Sequence, residues 1–106
     1  MNLTTPTLLL DPQKVRENIA FMKEKADKNN LDFRPHFKTH QSRMIGEWFK
    51  EKGVKKITIS SVEMAKYFVK SGWNDILIAF PLNINEIKDI NKLSSSVDLY
   101  LTIENK

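Results

Sequence analysis

The stretch Leu31-Asp32-Phe33-Arg34-Pro35-His36-Phe37-Lys38-Thr39-His40 decides how the rest of the chain is read. As a β-strand it would put Arg34, His36 and Lys38 on one face and Phe33, Pro35 and Phe37 on the other, because strand side chains alternate with period two. A basic row turned toward a packed interior is costly without partners. The row therefore marks either a functional site or a half-exposed edge strand whose alternation carries no chemistry. Along such a strand His36 and His40 stand ~13 Å apart, too far to share one ion, so the pair is not a metal site.

On the N-terminal side, Thr5-Pro6-Thr7-Leu8-Leu9-Leu10 reads as a short extended run, stopped by Asp11-Pro12. Asp11 suits a helix N-cap and Pro12 the first helical position. Val15, Ile19, Met22 and Ala26 follow at helical spacing, which predicts a helix over residues 12–29, ended by Asn29-Asn30. On the C-terminal side, Thr39-His40-Gln41-Ser42 offers caps for a second helix buried through Ile45, Trp48 and Phe49, with Gly53 at its end. Ile57-Thr58-Ile59-Ser60 is β-branched and extended, and Ser60-Ser61-Val62-Glu63 reads as a capping box in which Glu63 reaches back to Ser60. Val62, Ala65, Phe68 and Val69 stripe a third helix that ends at Ser71-Gly72.

Asp75-Ile76-Leu77-Ile78-Ala79-Phe80 is almost wholly apolar, as in a strand covered on both faces of a parallel sheet. A fourth helix carrying Ile84, Ile87, Ile90 and Leu93 precedes a last strand over residues 97–103. Five strands thus alternate with four helices in units of about 20 to 25 residues, the rhythm of parallel βα repeats in the α/β class. Periodicity alone leaves an open flavodoxin-like sheet and part of a barrel both standing. The glycine-rich turn of a dinucleotide fold is absent after the first strand, and no Walker loop is present.

With 106 residues, the chain is long enough for one α/β unit, residues 1–106, and too short for a closed (β/α)₈ barrel of ~250 residues. No cysteine is present, which excludes disulfides and thiolate metal sites. No apolar run spans a bilayer and the N-terminus lacks a signal-peptide layout, so the expectation is a cytoplasmic protein without membrane attachment. The net charge of +4 is spread in alternating signs, as in Lys23, Glu24, Lys25, Asp27 and Lys28, the pattern of solvated helix faces and not of a nucleic-acid surface.

Arg34-Pro35-His36-Phe37-Lys38-Thr39-His40 closely resembles the RPHxKTH signature of the D-threonine aldolase and D-serine dehydratase-like group of alanine racemase-type (fold type III) pyridoxal phosphate enzymes. Asn18-Ile19 lies where the group often has an Asn-Ile pair, and three longer stretches resemble the group's landmarks in order and spacing. They are Thr5-Pro6-Thr7-Leu8-Leu9-Leu10-Asp11, Ile57-Thr58-Ile59-Ser60-Ser61-Val62-Glu63-Met64-Ala65 and Asp75-Ile76-Leu77-Ile78-Ala79. Gln41 departs from the lysine frequent at that position.

The resemblance implies the N-terminal portion, about half, of a TIM-like (β/α)₈ barrel, in which Lys38 carries pyridoxal 5'-phosphate as a Schiff base. His36, Arg34, His40 and Ser60 are the further candidate cofactor-binding residues, although helix capping accounts for Ser60 and His40 and a satisfied structural role for His36. It implies a lyase or isomerase acting on a small amino acid, either a D-amino acid or a 3-hydroxy amino acid. Any divalent metal of the parent would have its ligands outside this chain. The same fold type includes non-catalytic cofactor carriers, and a cofactor-free α/β interaction module is the third alternative. Expected partners are further copies of the protein or the missing C-terminal part.

Overall fold

The computed structural model describes residues 1–105. Four α-helices, Pro12–Lys28 (α1), Arg43–Glu51 (α2), Val62–Lys70 (α3) and Ile87–Ser94 (α4), alternate from α2 onward with three strands, Lys56–Ile59 (β1), Asp75–Pro81 (β2) and Asp98–Thr102 (β3). Short 3₁₀ turns occupy Phe37–Thr39 and Ile84–Glu86. No helix among the described residues is long and apolar enough to cross a membrane.

Local chemistry sets the helix boundaries. The Asp11 carboxylate accepts from the amides of Gln13 and Lys14 at 3.0 and 3.2 Å, and Pro12 opens α1. Asn30 takes a left-handed φ of 54°, and the Leu31 amide returns to the Ala26 carbonyl at 2.9 Å, which turns the chain off the helix axis. Ser42 caps α2 through the Ile45 amide at 3.3 Å, and Gly53, with φ 81°, makes the turn after it. The α3 cap is Ser61, which accepts from Met64 N at 3.1 Å. This corrects the expected capping box on Ser60: the Glu63 carboxylate instead accepts from Lys66, 2.6 Å away on its own helix.

The sheet runs β1-β2-β3, all parallel. Among the described residues, three strands stand where five were expected. Thr5–Leu10 forms no strand, and Leu8 is 95% exposed, because no described strand lies beside it. The stretch 31–40 is not a strand either; it touches β1 through one parallel bridge, His36 with Thr58, in which the Thr58 amide donates to the Pro35 carbonyl at 2.9 Å. The rung before it would need the amide of residue 35 as donor to residue 56, and proline has none. The rung after it would need the Phe37 carbonyl, which instead accepts from Gln41 N at 2.9 Å and from the His40 amide as the chain closes a 3₁₀ turn.

Register decides which side of the sheet is covered. Ile57 and Ile59 pair with Ile76 and Ile78 and share one face, packed with Phe37, Val54, Trp73, the α3 residues Val62, Ala65 and Phe68, and Ile90 and Leu93 of α4. α2 approaches the same core through Gly46, where an added Cβ would stand 3.4 Å from both Phe37 and Trp73. α1 lies outside α2, with Arg16 4.8 Å above the Trp48 ring and paired with Glu51. The opposite face, bearing Thr58, Leu77 and Tyr100, has no helix over it, and Ala79 and Tyr100 are exposed. Asp75–Phe80 is therefore covered on one face only, not on both as its apolar run suggested. Helices on a single side of a parallel sheet are the layering of a barrel wall, whereas a doubly wound sheet is covered on both.

Candidate functional site

Parallel α/β architectures place their chemistry at the carboxyl ends of the strands. Lys38 lies two residues past the His36–Thr58 bridge, beyond the last rung on that side of the sheet, and its side chain is exposed. Its backbone is fixed locally: the Lys38 amide donates to His36 Nδ1 at 3.2 Å, and the Lys38 carbonyl accepts from Gln41 Nε2 at 3.3 Å. Gln41 itself adopts a left-handed φ of 46° to make that return. Because His36 Nδ1 is an acceptor, the neutral ring carries its proton on Nε2. Burial, and then the Lys38 charge, hold the His36 pKa below its usual value.

Arg34 points elsewhere. Its guanidinium pairs with Asp75 at 2.5 Å, donates to the Ile57 carbonyl at 3.1 Å and sits 5.1 Å above the Tyr100 ring. Asp75 begins β2 and pairs in register with Lys56 and Asp98, so this contact lies at the amino end of the sheet. Arg34 and Lys38 therefore stand toward opposite ends of the sheet, with the His36–Thr58 bridge between them, and the three residues are not gathered at one point. Beside Arg34, Asp32 pairs with Lys56 at 2.5 Å, and that contact lowers the Asp32 pKa and raises that of Lys56.

His40 is enclosed by aromatic rings: Phe37 at 4.4 Å, Phe49 at 5.7 Å and Phe68 at 6.4 Å between centroids. Its Nδ1 accepts from the Ser42 amide at 3.1 Å, its Nε2 is buried without a partner, and burial lowers its pKa. The ring lines a cavity of about 440 Å³ between α1 and the signature segment, together with Asn18, Ile19, His36, Thr39 and Phe49. Ser60 lies apart from it, in a cavity of about 320 Å³ at the carboxyl ends of the strands with Ser61, Ile78, Phe80, Asn83 and Leu101.

Of the five sequence candidates, Lys38 and Ser60 thus stand at the carboxyl side, His36 joins Lys38 through its backbone, His40 faces the α1 cavity, and Arg34 faces the opposite end. The partners of Arg34, namely Asp75, Tyr100 and the Ile57 carbonyl, were missed. Only the charge of Asp75 at the head of an apolar strand hinted at them.

A cofactor bearing an aldehyde needs a primary amine that it can reach, held on an ordered backbone. Lys38 meets that requirement, being exposed and with its amide and carbonyl both fixed, and His36 Nε2 is a further polar atom on the same turn. Among the described residues, no group of three or more His, Cys, Asp and Glu side chains is gathered to hold a metal.

No family model matches the chain. Individual proteins do. The chain is 38% identical over 102 residues to a D-serine dehydratase of Dictyostelium discoideum, covering 92% of this chain and 26% of that protein. It is 33% identical over 79 residues to D-threo-3-hydroxyaspartate dehydratase of Delftia sp. strain HT23, covering 74% of this chain and 21% of the relative. The solved structure of that dehydratase superposes with a TM-score of 0.88 and 29% identity over 97% of this chain and 27% of its own. D-threonine aldolase from Filomicrobium marinum, 22% identical over 95% of this chain and 28% of its own, shares the fold with a TM-score of 0.87. The chain spans about a quarter of the length of the relatives it matches.

Proposed function

Because this chain is homologous to enzymes of the alanine racemase-type (fold type III) pyridoxal phosphate family, in its D-threonine aldolase and D-serine dehydratase-like group, we propose that it forms the N-terminal part of a cytoplasmic lyase or isomerase acting on a D-amino acid or 3-hydroxy amino acid, with Lys38 as the residue that anchors pyridoxal 5'-phosphate. The observation that carries this reading is the position of Lys38: the lysine of the signature is exposed just past the last rung, on the carboxyl side of a parallel sheet whose helices all lie on one face. Residues 1–106 act as one unit of the barrel wall, completed by the rest of the protein or by another copy.

When bound, pyridoxal phosphate supplies an electron sink for bond cleavage at the substrate Cα. The chain's own contribution is the amine and its placement. His36 holds the Lys38 amide through Nδ1, so the lysine leaves the sheet in a fixed direction, and its neutral ring keeps Nε2–H as a free donor. Ser60 and Ser61, at the head of α3, face the same end of the sheet, where a helix N-terminus favours negative charge. One structure of the dehydratase relative is of a metal-free form; a divalent metal in the parent of this chain would take its ligands from outside residues 1–105.

The test is chemical trapping in the protein that carries this chain. Incubation with pyridoxal phosphate, borohydride reduction and peptide mapping should place the phosphopyridoxyl group on Lys38. Label spread over surface lysines such as Lys23 and Lys56, with Lys38 unmodified, overturns the assignment.

A further inference from the structure

We propose that Arg34 is a positioning residue: reaching across the open face to Asp75 and Tyr100, it clamps the signature segment against the edge of β1 and so sets where Lys38 stands, and it makes no contact with the cofactor itself. The second half of this statement rests on the Lys38 reading above; the clamp does not.

The segment carrying Lys38 needs such a device. Its backbone meets β1 through the single His36–Thr58 bridge. Pro35 denies it the rung before that bridge, and the 3₁₀ turn denies it the rung after. One rung alone does little to hold the segment, because isolated backbone hydrogen bonds contribute little net stability; Phe37, buried in the core, anchors its helix side, and its other side is left to Arg34.

Side chains replace the missing ladder. Arg34 spans the sheet from the segment to β3, donating to a backbone carbonyl of β1 (Ile57, 3.1 Å), pairing with the first residue of β2 (Asp75, 2.5 Å) and lying on an aromatic ring of β3 (Tyr100, 5.1 Å). The paired side chains keep only 20% and 19% of their surface, so the pair is largely shielded, and removing one partner leaves the other charge half-buried and uncompensated. Asp32, two residues earlier, pins the same segment to Lys56, the register neighbour of Asp75. Signs alternate across the four groups, so each cation stands between carboxylates. Lysine is no substitute for Arg34: an ammonium reaches Asp75 but does not also present a planar fork to the Ile57 carbonyl and a flat face to Tyr100.

The experiment compares wild type with Arg34→Gln, Arg34→Lys and Asp75→Asn in the protein that carries this chain, with two readouts. The first is amide exchange at Thr58, whose N–H binds the Pro35 carbonyl and reports the clamp directly, with Ala65 in α3 as the control for intact folding. The second is the yield of borohydride-trapped pyridoxal phosphate on Lys38. Arg34→Gln and Asp75→Asn should speed Thr58 exchange by about tenfold or more while Ala65 is unchanged, and trapping at Lys38 should fall in parallel. Arg34→Lys should lie between, and it decides the matter if Arg34→Gln also loses Ala65 protection. Thr58 exchange at the wild-type rate in both Arg34 variants overturns the clamp. Lost trapping with Thr58 protection intact also overturns the proposal, because Arg34 would then contact the cofactor. A wild-type protein that is not trapped at Lys38 removes the Schiff-base reading and leaves the clamp to be judged by Thr58 alone.

Discussion

The His40 ring lies nearly parallel to that of Phe49, with 22° between their planes and 5.7 Å between centroids, and its Nε2 is sealed from water without a partner. A neutral imidazole fits this place, with Nδ1 accepting from Ser42 and the proton on Nε2. An imidazolium does not, since its second proton would displace the Ser42 amide and its charge would be held among phenyl rings.

This gives the chain an acid-sensitive joint. Burial lowers the folded-state pKa of His40, and that of His36, below the ordinary value of 6.5. The unfolded chain therefore takes up these protons first. Stability from the two histidines is complete above pH 6.5 and is lost as pH falls from there through the folded-state values. Urea midpoints measured at about pH 7.5 and about pH 5 should show this loss, and His40→Gln should flatten most of it. An unchanged slope in that variant would place the sensitivity elsewhere.

Phe68 sits at the centre of the core. It has no exposed surface and meets Phe37 edge to face at 5.0 Å, against the same cluster that receives Gly46 and Trp73. Phe68→Ala should cost about 3–5 kcal/mol, a large share of what a unit of this size possesses, and should be read as a lowered thermal midpoint or outright loss of near-UV dichroism. A midpoint within a degree or two of wild type would mean that the cluster does not carry the core.

At the start of α1, Asp11→Ala removes an acceptor serving two amides, Gln13 and Lys14. The expected cost is about 1 kcal/mol, confined to α1, and exchange at the Gln13 and Lys14 amides should rise while that at Ala65 does not. Asp11→Asn should retain most of the protection, because the contact is a hydrogen bond first and a charge interaction second.

These caps were legible because they are local: Asp11 before Pro12, Ser42 before α2 and Gly53 after it are each decided within a few residues. The strands Lys56–Ile59, Asp75–Pro81 and Asp98–Thr102 were legible from their β-branched and apolar runs. The signature segment was misread as a strand because alternation records which side chains are polar and says nothing about whether the backbone can pair; Pro35 and the His36 cap on Lys38 N settle that. The destination of Arg34 was illegible for another reason. Its partner Asp75 lies 41 residues away, and no local rule reaches that far. The role proposed for Lys38 comes from resemblance, with its placement at the carboxyl side of the sheet in support.

If Lys38 is the anchor, its requirement is chemical and not merely positive charge. Lys38→Ala and Lys38→Arg should both abolish covalent cofactor capture and turnover in the protein carrying this chain, since a guanidinium stays protonated and cannot form an imine. Neither change should alter the thermal midpoint by more than a degree or so, because the side chain is exposed and bonds only through its backbone. Retained capture in Lys38→Ala would remove the basis of the assignment.

Leu77, Ala79 and Tyr100 share the face opposite the helices, and among the described residues no strand pairs with the outer edge of β3. Tyr100 is 51% exposed and Leu101 37%. A sheet with one open apolar face and an unpaired edge is a template for association, so the isolated 106-residue chain should self-associate or bind the segment that completes its barrel. Sedimentation across a concentration series should show species larger than monomer. Tyr100→Lys, which puts a charge on the open face, should shift the distribution toward monomer at some cost to the Arg34 clamp. Turnover of D-amino acids by the isolated chain should be undetectable, because an anchor alone neither holds the phosphate nor tunes the ring. A cooperative unfolding transition independent of concentration, from a strictly monomeric chain, would show that the single helical layer and its core suffice without the missing wall.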